Sequence, residues 1–343
     1  MDQPTAADGL RDQDALPERS GHRDELEQRL SRLPPGHPSS PVEADRTPRP
    51  PEPGIRSRDS PDASPPDDAD RRPLTDAEYA EHVTNVRERL DKARADGLAT
   101  DRQHTIDRAR EIWSGERETL QDSIIEDLYR KASDVPCERR AIMAGGLPGA
   151  GKSTILERYA GINRSQYLTI NPDEIKDEMG RRDMIPPVDG LSPMEASDLV
   201  HEESSYVARR LALRAQADGK NIIWDITMRT RASTERRIDE LHSSGYTRIE
   251  GIFVDIPVEA SVTRAANRHR AGHDDYRVGE GLGGRFVPAE MIRAQADPEW
   301  GSRNRKAFEE VRHHFNSWSR FDNSGAAPVL IEADRREEDH DHY

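Results

Sequence analysis

The sequence predicts an α/β fold: a P-loop NTPase-like parallel sheet wound with helices, preceded by a disordered arm and a helical segment. Three observations carry that expectation. Gly146-Leu147-Pro148-Gly149-Ala150-Gly151-Lys152-Ser153 fits the pattern G-x-x-x-x-G-K-S/T without gaps. From Glu138 onward, short apolar runs alternate with helical patterns, as in a sheet whose strands are joined by crossover helices. Finally, 14 of the 24 prolines fall within the first 73 residues, among Asp, Arg and Ser with almost nothing aromatic to bury. Such a composition cannot offset the entropy lost on folding.

Taken in order, residues 1–73 read as the arm, in which Pro34-Pro35, Pro50-Pro51 and Pro65-Pro66 break any lasting helix. Leu26, Leu30 and Leu33 fall at helical spacing and allow a transient one. Residues 74–135 read as a helical segment packing on the core. Thr75-Asp76-Ala77-Glu78 is a capping box, after which Tyr79, Val83, Val86 and Leu90 recur at helical spacing until Gly97. Ile106, Ala109 and Trp113 start a second helical stripe, which Leu120, Ile124 and Leu128 continue beyond Gly115. A support for the core and a surface for a regulatory partner both suit these stripes. The P-loop domain covers residues 136–332. Its expected strands are Ala141–Ala144, Tyr167–Ile170, Asn221–Trp224, Arg248–Val254 and Pro328–Ile331. Its expected helices follow the loop and span Met194–Ala217, Thr234–Ser243 and Val258–His269. Residues 333–343 read as an acidic, solvated tail in which His340 and His342 alternate with Asp.

Composition narrows the function. Hydrophobic residues make up 33% and charged residues 34% of the 343, with a mean hydropathy of −0.95, too polar for a chain packed throughout. The net charge of −15 argues against general nucleic-acid binding, which needs a basic surface, while leaving room for a local basic cleft. Cys137 is the sole cysteine, so a disulfide framework and a thiolate metal site are excluded. The sequence shows no apolar run of membrane-spanning length and no signal-peptide core, so the expected location is cytoplasmic, with no membrane partner.

The chemistry centres on the loop. Gly146, Gly149 and Gly151 let successive N–H groups turn inward around phosphate oxygens, with Ala150 and Thr154 completing the cradle. Lys152 supplies charge to the β- and γ-phosphates of a nucleotide such as ATP, and Ser153 offers its hydroxyl to Mg²⁺. Ligands of open parallel sheets bind beyond the carboxyl ends of the strands, which singles out two aspartates. Asp173, after Leu168-Thr169-Ile170-Asn171-Pro172, can be a helix cap or a general base toward a substrate hydroxyl. Asp225, after Ile222-Ile223-Trp224, can hold Mg²⁺ or substrate, or serve as a buried salt bridge or cap. Thr227 and Arg229 extend that motif. Arg264, Arg268, Arg270, Arg277 and Arg285 cluster around a loop bearing Gly279, Gly281, Gly283 and Gly284. Guanidinium groups on a mobile flap can close on a transferring phosphoryl group; a solvated basic face is the alternative. His201-Glu202-Glu203-Ser204-Ser205 opens a helix expected to face the same cleft, in either a binding or a solvated role.

From roughly Glu138 to Glu332 these residues resemble the zeta toxins, a family of UDP-N-acetylglucosamine kinases within the P-loop kinases. The resemblance rests on Gly146 to Thr154, on Asn171-Pro172-Asp173-Glu174-Ile175-Lys176, on Gly219 to Thr227, and on the region from Arg264 to Pro288. It implies an ATP- and Mg²⁺-dependent kinase acting on a nucleotide sugar, blocking cell-wall synthesis, with an antitoxin protein as partner. It also implies roles. Lys152 is the phosphate-loop lysine, Asp173 the base for the sugar 3′-hydroxyl, and Asp225 the acidic residue ahead of a threonine. Arg268 and Arg285 grip the ATP phosphates, and Glu203 takes the place of a further substrate-binding glutamate. The family's glycine after the acidic residue is Ile226 here, the helix carrying Glu203 does not align in register, and the small family members lack the N-terminal arm. Other readings of the same loop are a kinase for another small molecule or a polynucleotide end, and a nucleotide-gated switch. The sequence carries no Asn-Lys-x-Asp guanine-reading motif for the last of these.

Overall fold

The computed structural model describes residues 72–335. The expected arm, apart from Arg72 and Pro73, lies outside the described residues, as do His340 and His342. Helix α1 (Asp76–Ala95) starts at the capping box: Thr75 Oγ1 accepts from the Glu78 N–H, and the Glu78 carboxylate accepts from the Thr75 N–H. Its inner face carries Val86, Leu90 and Ala93. A short α2 (Thr100–Gln103) leads into an antiparallel hairpin of β1 (Thr105–Asp107) and β2 (Ile112–Trp113). This corrects the helical stripe expected from Ile106 to Trp113. Glu111 adopts a left-handed φ of 51°, which no helix accommodates. Ile106 faces solvent, whereas Trp113 is buried against Tyr206. The helix resumes as α3 (Gly115–Lys131), capped by Ser114, with Ile124 buried and Leu120 and Leu128 packed on the core.

The remaining strands are β3 (Arg140–Gly145), β4 (Leu168–Ile170), β5 (Ile222–Asp225), β6 (Arg248–Asp255), a separate small pair β7 (Ala296–Asp297) and β8 (Gly301–Ser302), then β9 (Ser317–Asp322) and β10 (Val329–Arg335). Six form one sheet in the order β10-β9-β6-β3-β5-β4, parallel throughout except for β10, which runs antiparallel to β9. Between them run α4 (Lys152–Arg158), α5 (Pro172–Arg181), α6 (His201–Ala217), α7 (Arg231–Ser243), α8 (Val258–Arg277), α9 (Ala289–Arg293) and α10 (Arg303–Val311). Alternation along the strands divides the core between the two faces. Ala141 and Met143 of β3 join Ile222, Trp224, Ile249 and Phe253 on one face, together with residues of α1, α3, α5 and α6. Ile142 and Ala144 join Ile223, Ile252 and Val254 on the other, with Ile155 and Leu156 of α4. A parallel sheet buried on both faces reads as continuous apolar runs, which is why β3, β5 and β6 were visible in sequence.

Two features differ from expectation. β9 adds a fifth parallel strand that the sequence did not announce, and β10 continues to Arg335, so the first residues of the expected acidic tail belong to the sheet. β10 is an edge strand exposed on both faces from Val329 to Asp334, and an edge tolerates the charges of Glu332 and Asp334. Topology sets the position of the site. From β3 the chain crosses to the β4 edge, returns to β5, then passes over β3 to β6. The carboxyl end of β3 is therefore the switch point, where diverging loops leave a crevice. No helix among the described residues is long and apolar enough to cross a membrane.

Candidate active site

The crevice is floored by the loop between β3 and α4. Gly146 takes φ 140° and Gly151 takes φ 87° at the α4 N-cap. A Cβ at Gly146 would meet Val254 O at 2.4 Å, so the loop admits only glycine there. Its carbonyls are held from outside. Ser261 Oγ donates to Pro148 O at 2.6 Å, Arg264 Nη1 to Gly149 O at 3.4 Å, and Asn323 Nδ2 to Ala150 O at 2.7 Å. With these carbonyls turned outward, the N–H groups of Gly149 and Gly151 are left without a protein acceptor among the described residues, an arrangement that cradles an anion. Sequence reading missed Ser261 and Asn323 because they come from α8 and the end of β9. Arg264, expected among the phosphate-gripping arginines, supports the loop from behind and also donates to Asn323 O at 2.7 Å.

Lys152 Nζ lies 3.4 Å from Asp225 Oδ1, each side chain 14% exposed. Asn171 Nδ2 donates to the other Asp225 oxygen at 3.2 Å. The ends of β3, β4 and β5 thus bring a cation, an amide and a carboxylate together. Asn171 also settles the cap question, since its side chain accepts the Asp173 N–H at 2.9 Å and makes it the N-cap of α5, with Pro172 at the first helical position. The capping role open to Asp173 is therefore taken. The Asp173 side chain, about half exposed, instead pairs with Arg285 and sits 3.7 Å from Lys176 Nζ. Burial would raise its carboxyl pKa, but Arg285, Lys176 and Arg268 together outweigh that and hold it below the usual carboxylate range. One turn along α5, Asp177 lies 3.7 Å from the same guanidinium. Burial raises its pKa against the pull of Arg285 and Arg181. Asp177 was not singled out from the sequence, although i,i+4 spacing from Asp173 places both on one helix face.

The arginines separate by helix geometry. Desolvation and the nearby Arg285 charge lower the Arg268 pKa, opposed by Asp173, Asp177 and Asp225, a set of neighbours that puts Arg268 on the crevice. Arg270, two residues and therefore about 200° further round the helix, pairs with Asp76 at 2.7 Å, donates to Leu74 O, and stacks on Tyr79. It belongs to the α1 contact. The flap is less free than expected. Gly279 and Gly281 have open space, but a Cβ at Gly284 would meet His269 O at 2.0 Å and one at Gly283 would meet Ser192 Oγ at 2.1 Å. The segment leading into Arg285 is seated on α8 rather than hanging loose.

Glu203 is a correction. It is fully buried, accepts from Arg117 at 2.7 and 2.8 Å and from Gln121 Nε2 at 2.8 Å, and so ties α6 to α3. With no exposed surface and its lone pairs engaged, it has no reach toward a substrate. Thr227 contributes its carbonyl, which accepts from the Gly146 N–H at 3.3 Å and from Asn304 Nδ2 at 2.9 Å. Arg229 is partly exposed just beyond Met228, whose φ is 51°. Ser153 and Thr154 are exposed at the start of α4. The Ser153 hydroxyl and the Asp225 carboxylate are oxygen donors of the kind that Mg²⁺ takes, and the loop suits a nucleotide polyphosphate.

These features agree with comparison to known proteins. The family described as zeta toxin matches residues 127–312. No curated protein matches. Among solved structures, an AvrRxo1-ORF1:-ORF2 complex with ATP aligns at TM-score 0.53 and 16% identity, over 68% of this chain and 76% of that one. The same pair with sulphate ions aligns at 0.50 and 16%, over 65% and 69%. The PezAT toxin–antitoxin system of Streptococcus pneumoniae aligns at 0.43 and 14%, over 63% and 80%. The family match spans more than half of the chain and contains the loop, both aspartates and both crevice arginines, and the chain belongs to the zeta toxin family of P-loop kinases.

Proposed function

We propose that the protein is an ATP-dependent kinase that phosphorylates a hydroxyl of a nucleotide sugar, with the 3′-hydroxyl of UDP-N-acetylglucosamine as the first candidate. The observation that carries this reading is the meeting of two ion pairs, Lys152–Asp225 and Asp173–Arg285, at the carboxyl ends of adjacent strands. Lys152 and the loop N–H groups hold the β- and γ-phosphates. Ser153 and Asp225 would hold Mg²⁺, which when bound neutralises phosphate charge. Asp173, ionised at neutral pH, accepts the proton of the acceptor hydroxyl as that oxygen attacks the γ-phosphorus. The bond to the β-phosphate bridging oxygen breaks, and ADP leaves. Arg285 couples the two halves. Phosphate oxygens compete for its guanidinium, and its release from Asp173 frees the base when both substrates are present. Arg268 adds charge on the same side, while Asp225, Thr227 and Arg229 line the way to the acceptor. Membership in a toxin family supports a protein antitoxin as partner.

The test is incubation with ATP, Mg²⁺ and a panel of nucleotide sugars, followed by mass spectrometry. One added phosphate on a nucleotide sugar, with matching ADP, is the expected result. ATP hydrolysis that needs no acceptor would replace this reading with a nucleotide-gated switch. Phosphate found only on another small molecule or a polynucleotide end would replace the acceptor.

A further inference from the structure

A group of titratable side chains that the crevice does not use gathers where α1, α8 and the turn before α6 meet. Glu195 is buried, and its Oε1 accepts from His82 Nε2 at 2.6 Å, His269 Nε2 at 3.1 Å and His273 Nδ1 at 3.1 Å. Its Oε2 accepts from both the N–H and the hydroxyl of Ser192 at 2.8 Å. A carboxylate oxygen offers two lone pairs, so three imidazole nitrogens aimed at one oxygen exceed what hydrogen bonding requires. The rings are crowded to achieve it, with the His82 and His273 centroids 3.8 Å apart. One ligating atom from each of His82, Glu195 and His273 lies within 4.8 Å of the others.

We propose that His82, Glu195 and His273 form a binding site for a divalent transition-metal ion of the zinc class, clamping α1 to α8. Two imidazoles and one carboxylate are a donor set that Zn²⁺ takes, whereas Mg²⁺ and Ca²⁺ prefer oxygen alone. The ion takes neutral imidazole nitrogens, so His82 Nε2 and His273 Nδ1, which now face Glu195, turn their lone pairs to the metal in the bound state. The surroundings are those of an outer shell. Ser192 fixes the Glu195 carboxylate, and His269 is held between Glu195 and the Tyr79 hydroxyl, 2.9 Å from its Nδ1. The clamp acts at a distance from the chemistry but on the same helix, since α8 carries Arg268 and seats Gly284 ahead of Arg285.

The experiment uses the full chain, stripped with a chelator and titrated with Zn²⁺ alone against a chromogenic competitor. One ion per chain and a raised Tm are expected. His82→Ala and His273→Ala should each weaken binding on the order of 10²-fold or more, since even outer-shell changes cost about 10–100-fold. Replacing the exposed His313 and His314 should leave it unchanged. Circular dichroism checks that each variant folds. Independently of any variant, X-ray absorption on the loaded parent should show Zn–N distances of about 2.0–2.1 Å with two imidazoles. Absence of stoichiometric binding, binding undiminished in both variants, or a zinc shell without imidazole would overturn the proposal.

Discussion

Two carboxylate–arginine clusters of this protein invite opposite readings. Around Glu203, Arg117 and Gln121 surround a carboxylate that is wholly buried, and each charge has its partner fixed by neighbouring helices. Around Asp173, Arg285 and Lys176 face a carboxylate whose side chain is 49% exposed, beside a loop with outward-turned carbonyls. The residue types are nearly the same. The first cluster is buried, so disturbing it leaves an uncompensated charge; the second is open to solvent, so its partners are accessible to a ligand. Exposure and spare hydrogen-bonding capacity, rather than charge, distinguish a structural pair from a chemical one.

The sharpest contrast comes from one variant in the crevice beside the open cluster and one in the buried cluster. Lys152→Ala should cut transfer by at least about 10²–10³-fold with no loss of cooperative unfolding, measured by coupled assay and thermal melt. Glu203→Ala should do the reverse. It strands the Arg117 guanidinium and destabilises by about 3–5 kcal/mol in denaturant titrations, while the turnover of the remaining folded protein, assayed well below Tm, stays near that of the parent. A Glu203→Ala enzyme that is stable but inactive would break the comparison.

Smaller effects refine it. In Arg285→Gln the Asp173 carboxyl loses its strongest opposing charge, so its pKa rises and the acid limb of kcat/KM moves to higher pH. An unmoved limb would mean that another group titrates there. Arg270→Ala should shift Tm by less than roughly 4 °C and leave turnover unaltered, because its ion-pair partner Asp76 is fully exposed and the pair lies at the α1 contact rather than in the crevice.

The parts of this design legible in sequence are local ones. The loop motif, the capping box and the apolar runs of β3, β5 and β6 each lie within a few consecutive residues. β9 was missed because Ser317-Trp318-Ser319-Arg320-Phe321-Asp322 interleaves polar and aromatic side chains and shows no apolar run. Ser261 and Asn323 escaped because the carbonyls they hold belong to a loop more than a hundred residues away. Arg268 and Arg270 could have been separated from the helical period alone, once α8 was extended past both. Glu203 needed the fold, since nothing in His201-Glu202-Glu203 says which carboxylate turns inward. The histidine cluster draws on positions 82, 195, 269 and 273, a spacing with no sequence signature.

The claim on which the account rests is that Asp173 takes the acceptor proton. The direct measurement is Asp173→Asn, with ATP affinity by calorimetry in the presence of Mg²⁺ and phosphoryl transfer under saturating substrates. Because Asn171 already caps α5, the amide should leave the fold and ATP binding almost unchanged while turnover falls by roughly 10²–10⁴-fold. An Asp173→Asn enzyme that transfers phosphate at the parent rate would contradict it.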